Sequence, residues 1–483
     1  MRGHAISGTL ASLILLTGCT SNELTAKNAG FSSVQATTSV LAKDTVWIQS
    51  RAQAERVETQ VKTLLKQSRT VDAETAVQIA LLNNRGLQAA YADLGDAGTE
   101  IWQSTLFVNP TASIGLAGIG TPGLQAYRAI EGTLAVNLLA LATREQRIKV
   151  AKVRFEQAQL NAALKTLELA ANTRRAWINA VAARETVVQL GQALVAADAG
   201  SELAQELGRA GSMTKGSQAR EHAFYAELAG RAAKARLAER LAREELTRLM
   251  GLWGDDISYK LPGRLPSLPK KLVTTEVIEA QALANRVDLQ MARLELEANA
   301  RAYGLTEATR FVSDLEIISG FEAEREKEDG RIRKETTYSK ELEFAIPVFD
   351  SGKARLRKAE LAHMRAANQL AERAVNIRSE SRSAYEAYRS SYDIARHYRN
   401  SLVPLRTTIE QQSLLTYNGM ITNTFELLAD TREKVNAQQL SINAKRDFWL
   451  AAANLTAAVY GGGAGSTPVD AAASVPSDQG DGH

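Results

Sequence analysis

One thiol is the residue in this chain whose chemistry is simplest to name. Cys19 is the only cysteine. It closes the run Leu16-Thr17-Gly18-Cys19, after a short apolar stretch from Ile6 to Leu16 that is led by the cation of Arg2. That stretch is shorter than the roughly 20 apolar residues a spanning helix needs, so it reads as an export signal. Small residues ahead of a cysteine suit the peptidase that matures lipoproteins, and the freed Cys19 thiol is then the expected site of acylation, with palmitate among its chains. Thr20 follows where an aspartate would retain the product at the inner membrane. The expected address is therefore the bacterial outer membrane, lipid-anchored and extending into the periplasm. A single cysteine excludes an intrachain disulfide and any cysteine-cluster metal site.

The other reactive side chains make no catalytic constellation. The histidines, His222, His363 and His397 among them, show no ligand spacing, so no metal site and no cofactor are expected. Glu131, Glu316, Glu322, Glu341 and Glu343 could in principle pair for hydrolysis. No pocket accompanies them in the sequence pattern, and no catalytic residue or enzyme activity is expected. Lys+Arg of 58 against Asp+Glu of 54 leaves no basic surplus for nucleic acid.

The elements that carry these residues are of two kinds. Between about 140–250 and 350–460 the chain is poor in proline and rich in Ala, Leu, Glu, Gln, Lys and Arg, all strong helix formers. Leu160, Leu164, Leu167 and Ala171, then Ile178, Val181 and Val188, recur at helical spacing. Stretches of this length point to coiled-coil packing. Each is interrupted by one turn, Gly208 to Met213 in the first and Tyr417 to Asn423 in the second. Gly and Asn there can take the left-handed conformation that ends a helix and reverses the chain. Each stretch is thus an antiparallel helical hairpin, with a first arm of about 100 Å at 1.5 Å per residue. Pro404, inside the second, removes a hydrogen bond and should kink its helix.

Elsewhere apolar and polar residues alternate. Ala112, Ile114 and Leu116 do so with Ser113 and Gly115, and Ile130, Gly132, Leu134 and Val136 with Glu131, Thr133 and Asn137. Leu315, Ile317 and Phe321 alternate with Glu316, Gly320 and Glu322, and Tyr338, Leu342, Phe344, Ile346 and Val348 with Ser339, Glu341 and Glu343. A period of two predicts strands with one apolar and one polar face. The first pair is expected to be joined by a loop at Gly118 to Gly123, and the second by a charged loop from Arg325 to Glu335. The glutamates fall on the polar phase and are expected to face a lumen, since lipid-facing carboxylates are costly.

The pattern occurs twice. Leu82-Asn83-Asn84-Arg85-Gly86-Leu87-Gln88-Ala89 matches Leu283-Ala284-Asn285-Arg286-Val287-Asp288-Leu289-Gln290 with one insertion. A helix, a strand pair and a long hairpin follow each time. The expected organisation is a signal peptide at 1–18 and a lipid-anchored segment at 19–70. A first repeat covers 71–250, with strands in 110–139 and a hairpin in 140–250. A proline-rich linker at 251–275 leads to a second repeat at 276–460, with strands in 312–348 and a hairpin in 350–460, and to a tail at 461–483.

Four short strands cannot close a barrel, for which about eight is the minimum. An open sheet in lipid would leave backbone groups unpaired. The strands must therefore be pooled between subunits, and the alanine-rich helices likewise need neighbours, so a homo-oligomer about the membrane normal is expected.

In this order of elements, in the two hairpin turns and in Ile346-Pro347-Val348-Phe349-Asp350-Ser351-Gly352, the chain from about Thr70 to Gly461 resembles the TolC-type outer-membrane efflux proteins. The resemblance implies a mainly α, internally duplicated fold. A trimeric β-barrel takes four strands from each chain and continues into a long α-helical coiled-coil periplasmic tunnel. It implies an exit channel of a tripartite efflux system, with a homotrimer, a periplasmic adaptor and an inner-membrane pump as partners. Two other readings are a duct for secreted polypeptides and a structural envelope-spanning coiled-coil lipoprotein. By the same resemblance Arg209, Gly211, Ser212 and Met213, with Asn418, Gly419, Met420 and Ile421, form adaptor-docking tips, where an exposed methionine after the glycine suits docking. Glu426 and Asp430, four apart on one helix face, would ring the tunnel constriction.

Overall fold

The computed structural model describes residues 28 and 30–463, apart from 68, 121, 123, 125, 126, 273–276, 313, 329, 330 and 420–423. Cys19, Met420 and Ile421 lie outside the described residues. The described chain folds as two compact units. One gathers 92–160 and 290–372 with the segment ending at 34; the other gathers 35–91, 161–289 and 373 onward. Each unit draws on both halves of the sequence, whose first helices are α1 (Phe31–Thr38) and α2 (Arg51–Gln67).

The first unit holds the strands. β1 (Thr111–Ala117), β2 (Ala129–Asn137), β3 (Leu315–Glu328) and β4 (Arg331–Phe344) form an antiparallel sheet in sequence order. The β3–β4 ladder runs to the pair Glu328–Arg331. The segment expected to be a charged loop, Arg325 to Glu335, is thus mostly paired strand. Its side chains are charged on both faces, which removes the apolar signal that marks a strand, but the backbone ladder continues regardless. At the other end β4 stops at Phe344, and Ile346 and Val348 belong to the connection to the next helix. Gly132 sits opposite Phe321, and a Cβ on it would come within 2.4 Å of the Phe321 ring. The aromatic covers the glycine, a pairing that pins register.

Two arginines tie together the segments that lead into and out of this sheet. α4 (Arg85–Thr105) leads into β1, and β2 passes through the short α5 (Leu138–Ala142) into α6 (Arg144–Arg209). Arg144 donates to the carbonyl of Thr105 and stacks on Phe107, 4.5 Å from its ring. In the second repeat α9 (Val287–Ala308) precedes β3, and Arg310 donates to the carbonyl of Ser351, 3.0 Å away. There Gly352 has φ +70°, with Arg310 O 2.6 Å from where a Cβ would be, so the junction needs glycine.

The second unit shows the duplication at residue level. α3 (Ala73–Asn83) breaks at Asn84 (ψ 118°) before α4, and α8 (Ile278–Asn285) breaks at Arg286 (ψ 117°) before α9. At both breaks the side chain satisfies the end of a returning helix. Asn84 donates to Leu249 O (2.9 Å) near the end of α7 (Lys215–Met250), and Arg286 to Ala458 O (3.2 Å) near the end of α12 (Thr424–Tyr460). A cation is favoured at a helix C-terminus, where carbonyls lack partners. Arg286 is buried and also binds Asp288 and Glu380, each at 2.7 Å. Burial alone would raise the Asp288 carboxyl. The Arg286 guanidinium, bonded to it, and nearby Arg373 hold it below the usual carboxylate range.

Leu190, Ala197, Phe224, Leu228, Ala232 and Val435 make one core where α6, α7 and α12 pack. A second joins α10 (Lys353–His397) to α12 through Tyr388, Tyr392 and Phe448. The stretch expected to be a linker is docked against it. Leu265 and Leu268 are buried, Tyr392 donates to Pro269 O (2.9 Å) and the Trp449 indole to Pro266 O (3.1 Å). Pro404 lies at the start of α11 (Val403–Asn418), just after a π-helical turn, Tyr398–Leu402. Val403 N bonds Tyr398 O, five residues back, so the break takes the form of a widened turn beside the proline.

Candidate functional site

The sheet offers two chemically opposite faces. The register aligns Glu131 with Glu322, Glu316 with Glu343 and Glu324 with Glu335. By the alternation of side chains, Glu326 and Glu341 share that face, so all five glutamates expected on the polar phase lie together. Thr133 and Ser113 face the same way and share a hydrogen bond of 2.6 Å. Like charges directly opposite one another destabilise a sheet, so this face was not shaped by stability alone. The other face carries Ile114, Leu116, Leu134, Ile317, Phe321, Ile332, Tyr338, Leu342 and Phe344, each exposed on the single chain. Ile114 leaves 81% of its surface uncovered and Tyr338 78%.

At the first hairpin turn the described geometry is complete. Ser212 N donates to Leu207 O (2.8 Å) and Gly211 N to Gly208 O (3.1 Å), the two bonds of a Schellman cap, with Gly211 left-handed at φ +73°. Thr214 then caps α7 by accepting from Ser217 N, 3.2 Å away. Arg209 is exposed and pairs with Glu206 (2.6 Å), and Ser212 is exposed. Met213, expected to be exposed, is half-buried because the chain folds back into α7, with Gln218 donating to its carbonyl. At the second turn Asn418 still belongs to α11. Gly419 closes the helix with a bond to Leu415 O (3.0 Å) at φ −80°, so it does not adopt the left-handed conformation expected of it.

Glu426 and Asp430 stand on α12, the first exposed and the second half-buried. Asp430 accepts from the hydroxyl of Ser413 on α11. Glu410–Lys434 at 3.0 Å and Arg406–Glu433 at 3.1 Å continue the polar links between the two arms. Asp430 is thus held inside its own hairpin, a role that spacing along one helix could not show. Among the described residues no group of three or more His, Cys, Asp or Glu is placed to hold a metal ion, and no helix is long and apolar enough to cross a membrane.

No family profile matches the chain, and no curated protein matches it in sequence. Its structure does have relatives. The CmeC outer-membrane channel of Campylobacter jejuni superposes with a TM-score of 0.67 at 19% identity, over 82% of this chain and 86% of that one. The outer-membrane channel OprN gives 0.66 at 19%, over 88% and 95%. The open-state MtrE outer-membrane channel of Neisseria gonorrhoeae gives 0.66 at 16%, over 83% and 89%. The fold is that of a TolC-type outer-membrane channel. With it come the internal duplication, the four-stranded antiparallel sheet and the long helical hairpins that the sequence pattern led one to expect.

Sequence reasoning missed the charged ends of β3 and β4. Their signal was present: in Glu324-Arg325-Glu326-Lys327-Glu328 the sign of charge alternates with period two, as a strand requires. It also missed the docking of Arg286, whose place in the repeat was visible but whose partners lie far along the chain.

Proposed function

We propose that the protein is the outer-membrane exit channel of a tripartite efflux system, passing substrates from an inner-membrane pump and a periplasmic adaptor to the exterior. The observation that carries this reading is the two-faced sheet. Exposed apolar side chains on one face and glutamates on the other match a wall between lipid and water, and four strands cannot close such a wall alone. Three copies pool their strands into one barrel. Val195, Leu241, Leu405 and Leu415, exposed on the helices of the single chain, supply contacts between subunits in the tunnel.

In this reading Cys19 carries the lipid that addresses the chain to the outer membrane, while the barrel holds it there. The hairpin tips, with Arg209, Gly211, Ser212 and Met213 on one and Asn418, Gly419, Met420 and Ile421 on the other, receive the adaptor. Glu426 and Asp430 concentrate negative potential near the tunnel's narrow end. The protein makes and breaks no bond, and its substrate class is set by the pump. A structural tether would explain the helices and the lipid, but it has no use for a sheet with an apolar outer and an acidic inner face.

Conductance of the purified protein in planar bilayers tests the proposal. The expected result is a narrow pore in wild type that widens when Glu426→Gln and Asp430→Asn are combined. A correctly folded protein that opens no pore in either form would overturn it.

A further inference from the structure

β3 and β4 outrun the rest of the sheet. β2 ends at Ala129, opposite Glu324, while the β3–β4 ladder continues through Arg325–Lys334 and Lys327–Ile332. A membrane-spanning strand needs about 9–11 residues, which counted from Leu315 ends near Arg325. The overhang therefore begins where the hydrocarbon ends, on the side of the sheet remote from the helices. On the acidic face Glu324, Glu326 and Glu335 are joined by Arg331 and Arg333, so both signs are present there, whereas the apolar face carries cations alone, Arg325, Lys327 and Lys334.

On the apolar side the order toward the rim is Phe321 and Tyr338, then Ala323 and Thr336, then Arg325 and Lys334, then Lys327 opposite Ile332. Apolar and aromatic residues followed by cations is the order of a membrane interface, where headgroups replace tails. Arg325 lies over the Tyr127 ring at 4.0 Å and donates to its hydroxyl. Lys327 and Lys334 are exposed and make no ion pair among the described residues. Arg325 and Lys334 stand directly opposite each other, and two cations so placed repel unless an anion lies between or beside them.

We propose that Arg325, Lys327 and Lys334 form a basic collar on the lipid side of the barrel rim that binds the phosphate groups of outer-leaflet lipid headgroups. The proposal rests on the reading of the sheet as part of a membrane barrel. The phosphates supply the counter-charge that the Arg325–Lys334 rung lacks. Lys340, on the apolar face four residues before Phe344, can snorkel toward the other boundary with its long stem.

The test uses the full-length lipidated protein in detergent, followed by native mass spectrometry during titration with three probes. These are a diphosphorylated glucosamine-based glycolipid, the same glycolipid with its phosphates removed, and phosphatidylglycerol. Wild type should prefer the phosphorylated glycolipid over its dephosphorylated form by about tenfold or more, given three cations near the interface. In R325Q/K327Q/K334Q that preference should vanish. Should the triple variant fail to fold, K327Q and K334Q, at exposed positions, should each lower the preference by about threefold. Phosphatidylglycerol binding as tightly as the glycolipid would assign the collar to any lipid phosphate. Equal binding of both glycolipids by wild type, or an unchanged preference in the variants, overturns the proposal. Conductance of the same preparations separates the two levels, since a wild type that forms a pore yet ignores the phosphates refutes the collar alone.

Discussion

Lysine in place of Ile114 should drive the protein out of the membrane, while lysine in place of Ser339 should not. Ile114 stands on the rung Ile114–Gly132–Phe321–Tyr338, and Ser339 on the next rung, Ser113–Thr133–Gly320–Ser339, facing the other way. With 81% of its surface uncovered by the chain, Ile114 gains about 2 kcal/mol when lipid covers it. A lysine near mid-membrane on the lipid side costs about 2–4 kcal/mol more. I114K should therefore lose roughly 4 kcal/mol or more per subunit, a factor on the order of a thousand in the folded, inserted population. S339K adds a cation beside Glu341 in a polar lumen and should stay within about 0.5 kcal/mol of wild type. Refolding into lipid vesicles across a guanidinium series, read by the loss of protease resistance, gives both values. If I114K inserts as well as wild type, or if S339K is equally damaging, the assignment of faces is wrong.

Gly211→Val forces a β-branched residue into φ +73° and should disrupt the first tip. Gly419→Val, at φ −80°, meets no such strain. Adaptor-dependent export measured beside trimer yield should fall for Gly211→Val with trimers retained, and wild-type export by that variant would refute the need for a left-handed residue at the first tip. Arg286→Ala removes the closer partner of the Asp288 carboxylate, leaving the 3.4 Å contact to Arg373, and should cost up to about 3–5 kcal/mol in thermal or chemical unfolding. Because the folded pKa of Asp288 is depressed below its ordinary 3.8, its stabilisation is present above that value and is lost as pH falls through the folded one. Asp288→Asn should flatten the stability curve in that acid window, and an unchanged acid slope would count against the ion pair. Cys19→Ser should abolish acylation, seen as the loss of the lipid mass from the mature protein. Channel activity should survive wherever the unlipidated chain still reaches the outer membrane.

Much of this protein could be read before its structure was known. The helical hairpins were legible because a 3.6-residue period sustained over α6 and α10 leaves no competing element. β1, β2 and the apolar parts of β3 and β4 were legible from a period of two, and the repeat from Asn84 and Arg286 with their neighbours. The charged ends of β3 and β4 were not. Strand signals are carried by apolar alternation, and Arg325 to Glu335 keeps the backbone ladder after that alternation has stopped.

The sequence by itself determined the element types and their duplicated order, because these follow from local periodicity and composition. Tertiary structure alone decided what depends on register and on long-range contact. Register set Glu131 against Glu322 and Arg325 against Lys334, since a shift of one residue would move every side chain to the other face. Long-range contact set Asp430 against Ser413, Arg286 against Ala458 O and the proline-rich segment against Tyr392 and Trp449. Backbone geometry made Gly211 left-handed and left Gly419 unstrained, although glycine is written at both positions.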